Sequence, residues 1–370
     1  MKEIDAALAS ADPELRRQAV GALARAEDPA RGHLLMRALG DGDWRVRKES
    51  ARVAAEVAES WGLVPELVDG LCQGDNVGLR SAALEVLERL GPRAASALLV
   101  ALPRVPDGAR KFLVAALGSA GGAGVERLAE LSVDPDRNTA QAALEALARI
   151  GGQRAEAALR AHLGSEDPVQ RLAVLEGLER LEAEVTLAEL RPLLQDRLVR
   201  RLALRVLGFG SETEVVGELL AALDEGGSAT AHEVAVAVGR LLGRGGPAAR
   251  ELERRAEGLE KAHREALMSV ARSSRKPARR AATWLLLLAR DRDVLGVAAE
   301  LAADDRLAPP ALDAIRRWGV GAVVPLLEVS ESLEVRARAV ALEMAAELAE
   351  GAGEGTLRDL RAALRDTLGS

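Results

Sequence analysis

The sequence predicts an all-α fold: an α-solenoid, a curved superhelix of about eleven helix-turn-helix repeats. Three observations predict it. One phrase recurs along the chain, as Asp12-Pro-Glu-Leu-Arg16, Asp43-Trp-Arg-Val-Arg47, Asp167-Pro-Val-Gln-Arg171 and Asp196-Arg-Leu-Val-Arg200, each copy opening an Ala/Leu-rich amphipathic run. The spacing of such phrases is roughly 30 residues, the period of a stacked array in which no unit buries its apolar face alone. The composition favours helix, since Tyr is absent, there are two Phe and four Trp, and Ala, Leu, Arg and Glu dominate. A solenoid grows by adding units, so 370 residues require no division, and one array over residues 1–370 is expected.

Each element of a repeat follows from its residues. The opening Asp accepts from a backbone N–H two or three residues on, and Pro13 sits where its missing N–H costs nothing. Leu15, Ala19 and Leu23 then recur at i, i+4 and i+8. The same frame reads Val46, Ser50, Ala54; Leu79, Ala83, Leu87; Val199, Ala203, Leu207; and Val335, Ala339, Glu343, the last having lost its apolar residue. Small residues in the middle slot let neighbouring helices approach closely, which marks the seam between repeats. Gly91, Gly151 and Gly208 follow such helices and are expected to supply left-handed C-caps. A companion helix comes next, as in 33–39, 64–71, 155–163 and 322–327, and then a new acidic turn, as at Asp41, Asp75, Asp134, Glu166 and Asp304.

This pattern resembles the HEAT repeat family, specifically the short-turn variety first associated with phycobilin lyases and found in many bacterial proteins. The resemblance covers nearly the whole chain. It implies that the Asp and Arg of the D-x-x-V-R signature lie at the turn and the start of the inner helix as a charged ladder: Asp12 with Arg16, Asp43 with Arg47, Asp167 with Arg171 and Asp196 with Arg200 match its ends, and Leu79-Arg80 and Val335-Arg336 its V-R part. Gln170 departs from the apolar slot. The ladder arginines are read as structural, satisfying turn carbonyls and holding units in register. The pattern weakens over 226–280, where a kink, altered curvature, a partner-specific unit or simple drift would each suffice. Leu357, Leu360, Leu364 and Leu368 with Arg358, Arg361 and Arg365 predict an amphipathic capping helix over 355–370.

Chemistry is scarce. Cys72 is the single cysteine, so no intramolecular disulfide or thiolate cage can form; it is read as a small buried hydrophobe. His33, His162, His232 and His263 fall in separate repeats. His232-Glu233 occupies the position where HEAT-type deoxyhypusine hydroxylases carry iron-binding His-Glu pairs, but a di-iron site needs several converging pairs, and Arg17-Gln18, Lys48-Glu49, Ser81-Ala82, Leu172-Ala173 and Arg201-Leu202 offer none. No Gly-Lys-Ser/Thr phosphate loop or Gly-x-Ser-x-Gly elbow occurs. No catalytic residue, metal or cofactor is therefore expected.

The binding surface is expected on the D-x-x-V-R helices, which line the concave side of HEAT arrays. The side chains just after the ladder arginine and one turn further on give Arg17, Lys48, Arg52, Glu85, Glu145, Glu176, Arg201 and Arg205, basic at the start, acidic in the middle and basic again. The expected function is a non-catalytic scaffold or adaptor binding another protein through this groove by complementary charge. A bilin lyase or chromophore chaperone is the enzymatic alternative, disfavoured by the poverty of aromatics. DNA binding is the second, resting on the basic turn Arg272, Arg275, Lys276, Arg279 and Arg280, and disfavoured by a net charge of −7 from 50 basic and 57 acidic residues. The lone cysteine and the want of an apolar leader or spanning segment predict a cytoplasmic setting with no membrane partner, and a composition rich in Ala, Arg, Leu and Gly suits a bacterial, high-GC genome.

Overall fold

Helix fills the secondary structure of every segment that the computed structural model describes: residues 1–72, 75–225, 227–273, 276–305 and 309–350, with the side chains of 225, 276, 305, 309 and 310 outside that description. Two compact units divide the chain, Met1–Leu181 and a second from Glu182 onward. In each, a companion helix precedes a signature helix, the one opened by the Asp-to-Arg phrase or its equivalent.

In the first unit the pairs are α1 (Lys2–Leu8) and α2 (Pro13–Leu23), α3 (Arg31–Leu39) and α4 (Trp44–Val57), α5 (Val64–Cys72) and α6 (Val77–Leu90), α7 (Ala95–Ala101) and α8 (Asp107–Leu117), α9 (Val125–Leu131) and α10 (Arg137–Ile150), and α11 (Gly152–Arg160) and α12 (Pro168–Arg180). In the second they are α13 (Leu187–Leu194) and α14 (Arg200–Leu207), α15 (Glu214–Glu225) and α16 (Ser228–Arg244), then a solitary α17 (Pro247–Ala256), followed by α18 (Lys261–Ser273) and α19 (Lys276–Leu288), α20 (Val294–Asp305) and α21 (Pro309–Trp318), and α22 (Val323–Ser330) and α23 (Val335–Glu350). Signature helices pack on signature helices: α2 on α4, α4 on α6 and so on to α12, and α14 on α16, α16 on α19, α19 on α21. Among the described residues eleven helices hold the signature position.

The predicted caps form. Asp12, Asp43 and Asp167 accept from the N–H of Glu14, Arg45 and Val169 at 2.9, 2.8 and 3.0 Å, and Asp136 and Asn76 do the same for α10 and α6. The ladder arginines turn back toward their own turns. Arg16 Nη1 donates to the carbonyls of Ser10 and Ala11, Arg47 Nη1 to those of Asp41 and Gly42, and Arg171 Nη1 to that of Ser165. Arg16 and Arg110 also reach the acidic turn of the following repeat, at Asp41 and Asp134. Gln170 replaces packing with a hydrogen bond, its amide oxygen accepting from the Ser165 hydroxyl at 2.7 Å.

The apolar frame is buried in α4, α6 and α14: Val46, Ser50 and Ala54, then Leu79, Ala83 and Leu87, then Val199, Ala203 and Leu207. The Ser50 hydroxyl is satisfied by the Val46 carbonyl at 2.8 Å. In α2, Ala19 and Leu23 are buried but Leu15 is 48% exposed.

Three expectations need correction. In α23, Val335 is 80% exposed, and Ala337, Ala341, Met344 and Ala345 form the buried face. The phrase there is Glu334-Val-Arg-Ala-Arg338, two residues later than a reading aligned on Val335-Arg336, and it is Arg338 that donates to the carbonyls of Ser330 and Glu331. Gly91 and Gly151 do adopt positive φ, +56° and +69°, but Gly208 has φ −63°. It is glycine because α16 passes over it: a Cβ there would lie 2.7 Å from the Ala237 Cα and 2.8 Å from its carbonyl oxygen. Asp196 caps through the Leu198 N–H, yet regular helix starts only at Arg200. Within 226–280 the described residues form helices broken at 245–246 and 257–260, and they hold one helix more than the repeat requires, α17, which packs on α15, α16 and α19. The capping helix expected over 355–370 lies outside the described residues.

Candidate functional site

Once the frame is buried and the ladder arginine is bound to its turn, the next residue and the one a turn later are left on the outer side of the signature helix. Lys48, Arg52, Glu85, Glu145, Glu176 and Arg201 are exposed, and Arg17 and Arg205 are half-buried. Four of these come together. Arg17, Lys48, Arg52 and Glu85 line a depression of about 430 Å³ across α2, α4 and α6, with Trp44, Arg45, Glu49 and Arg89 completing it. Glu145 and Glu176 stand on α10 and α12 and do not line it. Arg201 and Arg205 belong to the second unit, on α14, where Arg205 Nε lies 3.6 Å from a Glu233 carboxylate oxygen.

The chemistry of the depression is set by ion pairs within single helices. Arg17 pairs with Glu14 at 2.6 Å, Arg52 with Glu49 and Glu56 at 2.7 and 2.8 Å, and Arg45 with Asp43 at 3.0 Å. The Arg17 guanidinium holds Glu14 down at about 2, and Arg45 does the same for Asp43, so both stay ionised at any ordinary pH. Lys48 makes no ion pair among the described residues, and Trp44 is 61% exposed beside it. Composition alone counts Trp44 as one of four dispersed tryptophans. A sharper signal lies in its register: it occupies the first position after the capping Asp, which holds Pro13 in α2 and Pro168 in α12, and no frame position claims it. Lys111 is hidden from a search for the phrase, since α8 opens at Pro106 without an acidic cap; by register it follows the ladder residue Arg110 as Lys48 follows Arg47.

The other tryptophans differ. Arg31 stacks on Trp61 at 4.3 Å, and Trp318 donates from Nε1 to the Leu287 carbonyl at 2.7 Å. Trp284 lines a smaller, largely apolar slot of about 340 Å³ with Val236, Gly239, Arg240, Arg280 and Ala281. A larger depression of about 840 Å³, around Arg264, Met268, Arg272 and Asp291, has no aromatic side chain to wall a chromophore.

The basic turn does not present five cations together. Arg279 is a ladder arginine, donating to the Ala271 carbonyl at 3.0 Å and paired with Glu300 at 2.5 Å. Arg280 lines the Trp284 slot and Arg272 the larger depression. Arg275 and the Lys276 side chain lie outside the described residues.

The histidines are built into packing or left at the surface. His263 Nε2 meets Asp224 at 2.7 Å, and His33 is exposed. His162 follows α11 rather than lying in it, with Nε2 2.7 Å from Ser132 Oγ. Ser132 is fully buried and gives its proton to the Ala129 carbonyl, so it is not an accessible nucleophile. His232 lines a depression of about 310 Å³ with Glu233, and among the described residues no three His, Cys, Asp or Glu side chains cluster as a metal site would require. Cys72 is half-buried, its thiol pushed up by burial.

One pH dependence follows from the geometry. Burial holds the His162 imidazole below 6.5, so the unfolded chain binds its proton more readily than the folded one. The His162 contribution to stability is therefore full above that value and declines as pH falls beneath it. Urea midpoints measured between pH 7 and pH 5 should fall in the wild type, and His162→Asn should flatten that part of the profile.

Similarity to known proteins bears on the fold. Residues 124–198 match the family described as HEAT repeats. Among solved structures, a chain of the crystal structure of Kap121p bound to Pho4p superposes with a TM-score of 0.56 at 14% identity, over 92% of this chain and 44% of that one. This is the fold of a HEAT-repeat solenoid. A chain of the complex in which Kap95p binding induces the switch loops of RanGDP to adopt the GTP-bound conformation gives 0.53 at 14% identity, over 99% of this solenoid and 57% of that one. The chain thus spans about half the length of the solenoids it matches. No curated protein matches the sequence. Among the described residues, no helix of this HEAT-repeat solenoid is long and apolar enough to cross a membrane.

Proposed function

We propose that the protein is a non-catalytic scaffold that binds a segment of another protein along the outer side of its signature helices. The observation that carries this reading is the depression in the first unit, where an exposed tryptophan stands beside a lysine without an ion pair among the described residues and three further positions of the stripe converge. An aromatic with a wet face and a rim of charge is the make-up of an interface hot spot, with the charges steering encounter more than setting affinity. The structures of Kap121p with Pho4p and of Kap95p with RanGDP are of HEAT solenoids holding protein partners. That similarity supports a protein as the class of ligand. The acidic stretch at Glu145 and Glu176 extends the same stripe and is proposed to contact basic residues of the partner.

The test is affinity capture from the native cell with wild type, Lys48→Glu and Trp44→Ser on one side and Glu145→Lys with Glu176→Lys on the other. A genuine partner should be recovered about tenfold less by the Trp44 and Lys48 variants. Equal recovery by all of them, with helicity unchanged, would remove the stripe from consideration.

A further inference from the structure

The slot at Trp284 has properties that the basic depression of the first unit lacks, and resting on the scaffold reading, it defines the chemistry of a ligand. Its position is set by the repeat. Arg279 is the ladder residue of α19, so Arg280 and Trp284 occupy the positions held by Lys48 and Arg52 in α4 and by Arg201 and Arg205 in α14. On α16 the corresponding residues are His232 and Val236. The slot is therefore part of the same outward-facing stripe.

Its floor is low because α16 and α19 approach closely. A Cβ on Gly239 would lie 2.7 Å from the Ala281 Cβ, so the two helices put only the Ala281 methyl there, and Val236 and Trp284 line the slot beside it. The volume of about 340 Å³ is at the small end for ligand pockets, suited to one bulky side chain rather than a cofactor. Among the described residues the lining holds two cations, Arg240 and Arg280, and neither Asp nor Glu. Arg240 is held in place: Nη1 donates to the Arg205 carbonyl at 2.8 Å, and the guanidinium stacks on Phe209 at 4.4 Å. A fixed cation beside an apolar wall loses little freedom when a ligand arrives, which favours binding.

We propose that this slot binds an extended acidic peptide segment, anchoring one bulky apolar side chain against Trp284 while flanking Asp or Glu residues meet Arg240 and Arg280. Charge complementarity selects this occupant, because a basic segment would face two like charges across an apolar floor of low dielectric.

The experiment pans a displayed library of random-sequence peptides against the immobilised full-length protein and measures the enriched peptides as synthetic ligands. The expected consensus is a Leu, Ile, Met or Phe flanked by acidic residues. Its affinity should fall about tenfold with Trp284→Ala and with Arg280→Glu, and change less than about twofold with Lys48→Glu. Arg280→Glu leaves the Trp284 wall intact, so its result does not depend on Trp284→Ala folding. Enrichment of basic peptides, no enrichment, or an acidic consensus indifferent to both slot variants would overturn the proposal. Peptides lost only on Lys48→Glu would overturn this slot while leaving the scaffold reading intact.

Discussion

Replacing Gly208 with valine is expected to destabilise the second unit by about 3 kcal/mol, the upper range for overpacking a well-packed contact. A new Cβ would meet not a side chain that can rotate away but the Ala237 main chain, at 2.7 Å from Cα and 2.8 Å from the carbonyl oxygen. Relief requires α14 and α16 to separate, which loosens the contact joining two successive repeats. Gly208→Ala should cost less but carry the same sign. Gly217 in α15 is the control, since the nearest atom to a methyl group added there would be an Arg255 guanidinium nitrogen at 3.7 Å. Gly217→Ala should raise stability by up to about 1 kcal/mol through helix propensity. Urea unfolding followed by circular dichroism would compare the variants. An unchanged midpoint for Gly208→Val would show that the helices do not approach so closely.

Removing Arg16 is the second large effect. Its Nε and Nη2 donate to both oxygens of Asp41 at 2.8 and 2.9 Å, and its Nη1 reaches two turn carbonyls, in a setting where both side chains are less than one-fifth exposed. Arg16→Ala leaves the Asp41 carboxylate with the Asp43 N–H as its remaining donor and takes the guanidinium from two turn carbonyls, and is expected to lower the urea midpoint clearly. Arg17→Ala removes an exposed pair within one helix and should leave the midpoint nearly unchanged. The ladder pair also carries a pH signature. Burial alone would raise the Asp41 pKa, but the hydrogen bonds from Arg16 and from the Asp43 N–H leave it below the ordinary 3.8. A carboxylate lowered in the folded state adds stability that is present above its unfolded value and lost as pH falls through the folded one. The acid limb of the stability profile should therefore be shallower in Arg16→Ala than in wild type, as acid titration of helicity would show.

These two residues mark what can be read from the chain and what cannot. Arg16 is legible: its phrase recurs, and the resemblance to HEAT repeats implies that such an arginine satisfies turn carbonyls. Gly208 is visible but misleading. A glycine after a helix resembles a C-cap, and only the passage of α16 over it distinguishes close approach from a left-handed turn. The two-residue displacement in α23 has a similar origin. Val335-Arg336 and Ala337-Arg338 both satisfy an apolar-basic pair, and the choice is made by which side chains α20 and α22 cover. Trp44 and Trp284 escape notice because sequence spacing reports which residues share a helix face, not whether that face is covered.

The all-helical repeat, the caps and the ladder are written in the chain, because they depend on contacts within about one turn of the helix or between residues at a fixed period. So is the outward stripe on the signature helices. Stacking of the repeats in three dimensions selects which stripe positions meet, at Arg17, Lys48, Arg52 and Glu85 around an open tryptophan and at Trp284 between two arginines. It also accounts for the longer repeat between Ser228 and Lys276, where α17 is inserted. Exposure and convergence are properties of how helices stack, set by the sizes of side chains on neighbouring repeats, and a period read along one chain carries no information about the space between them.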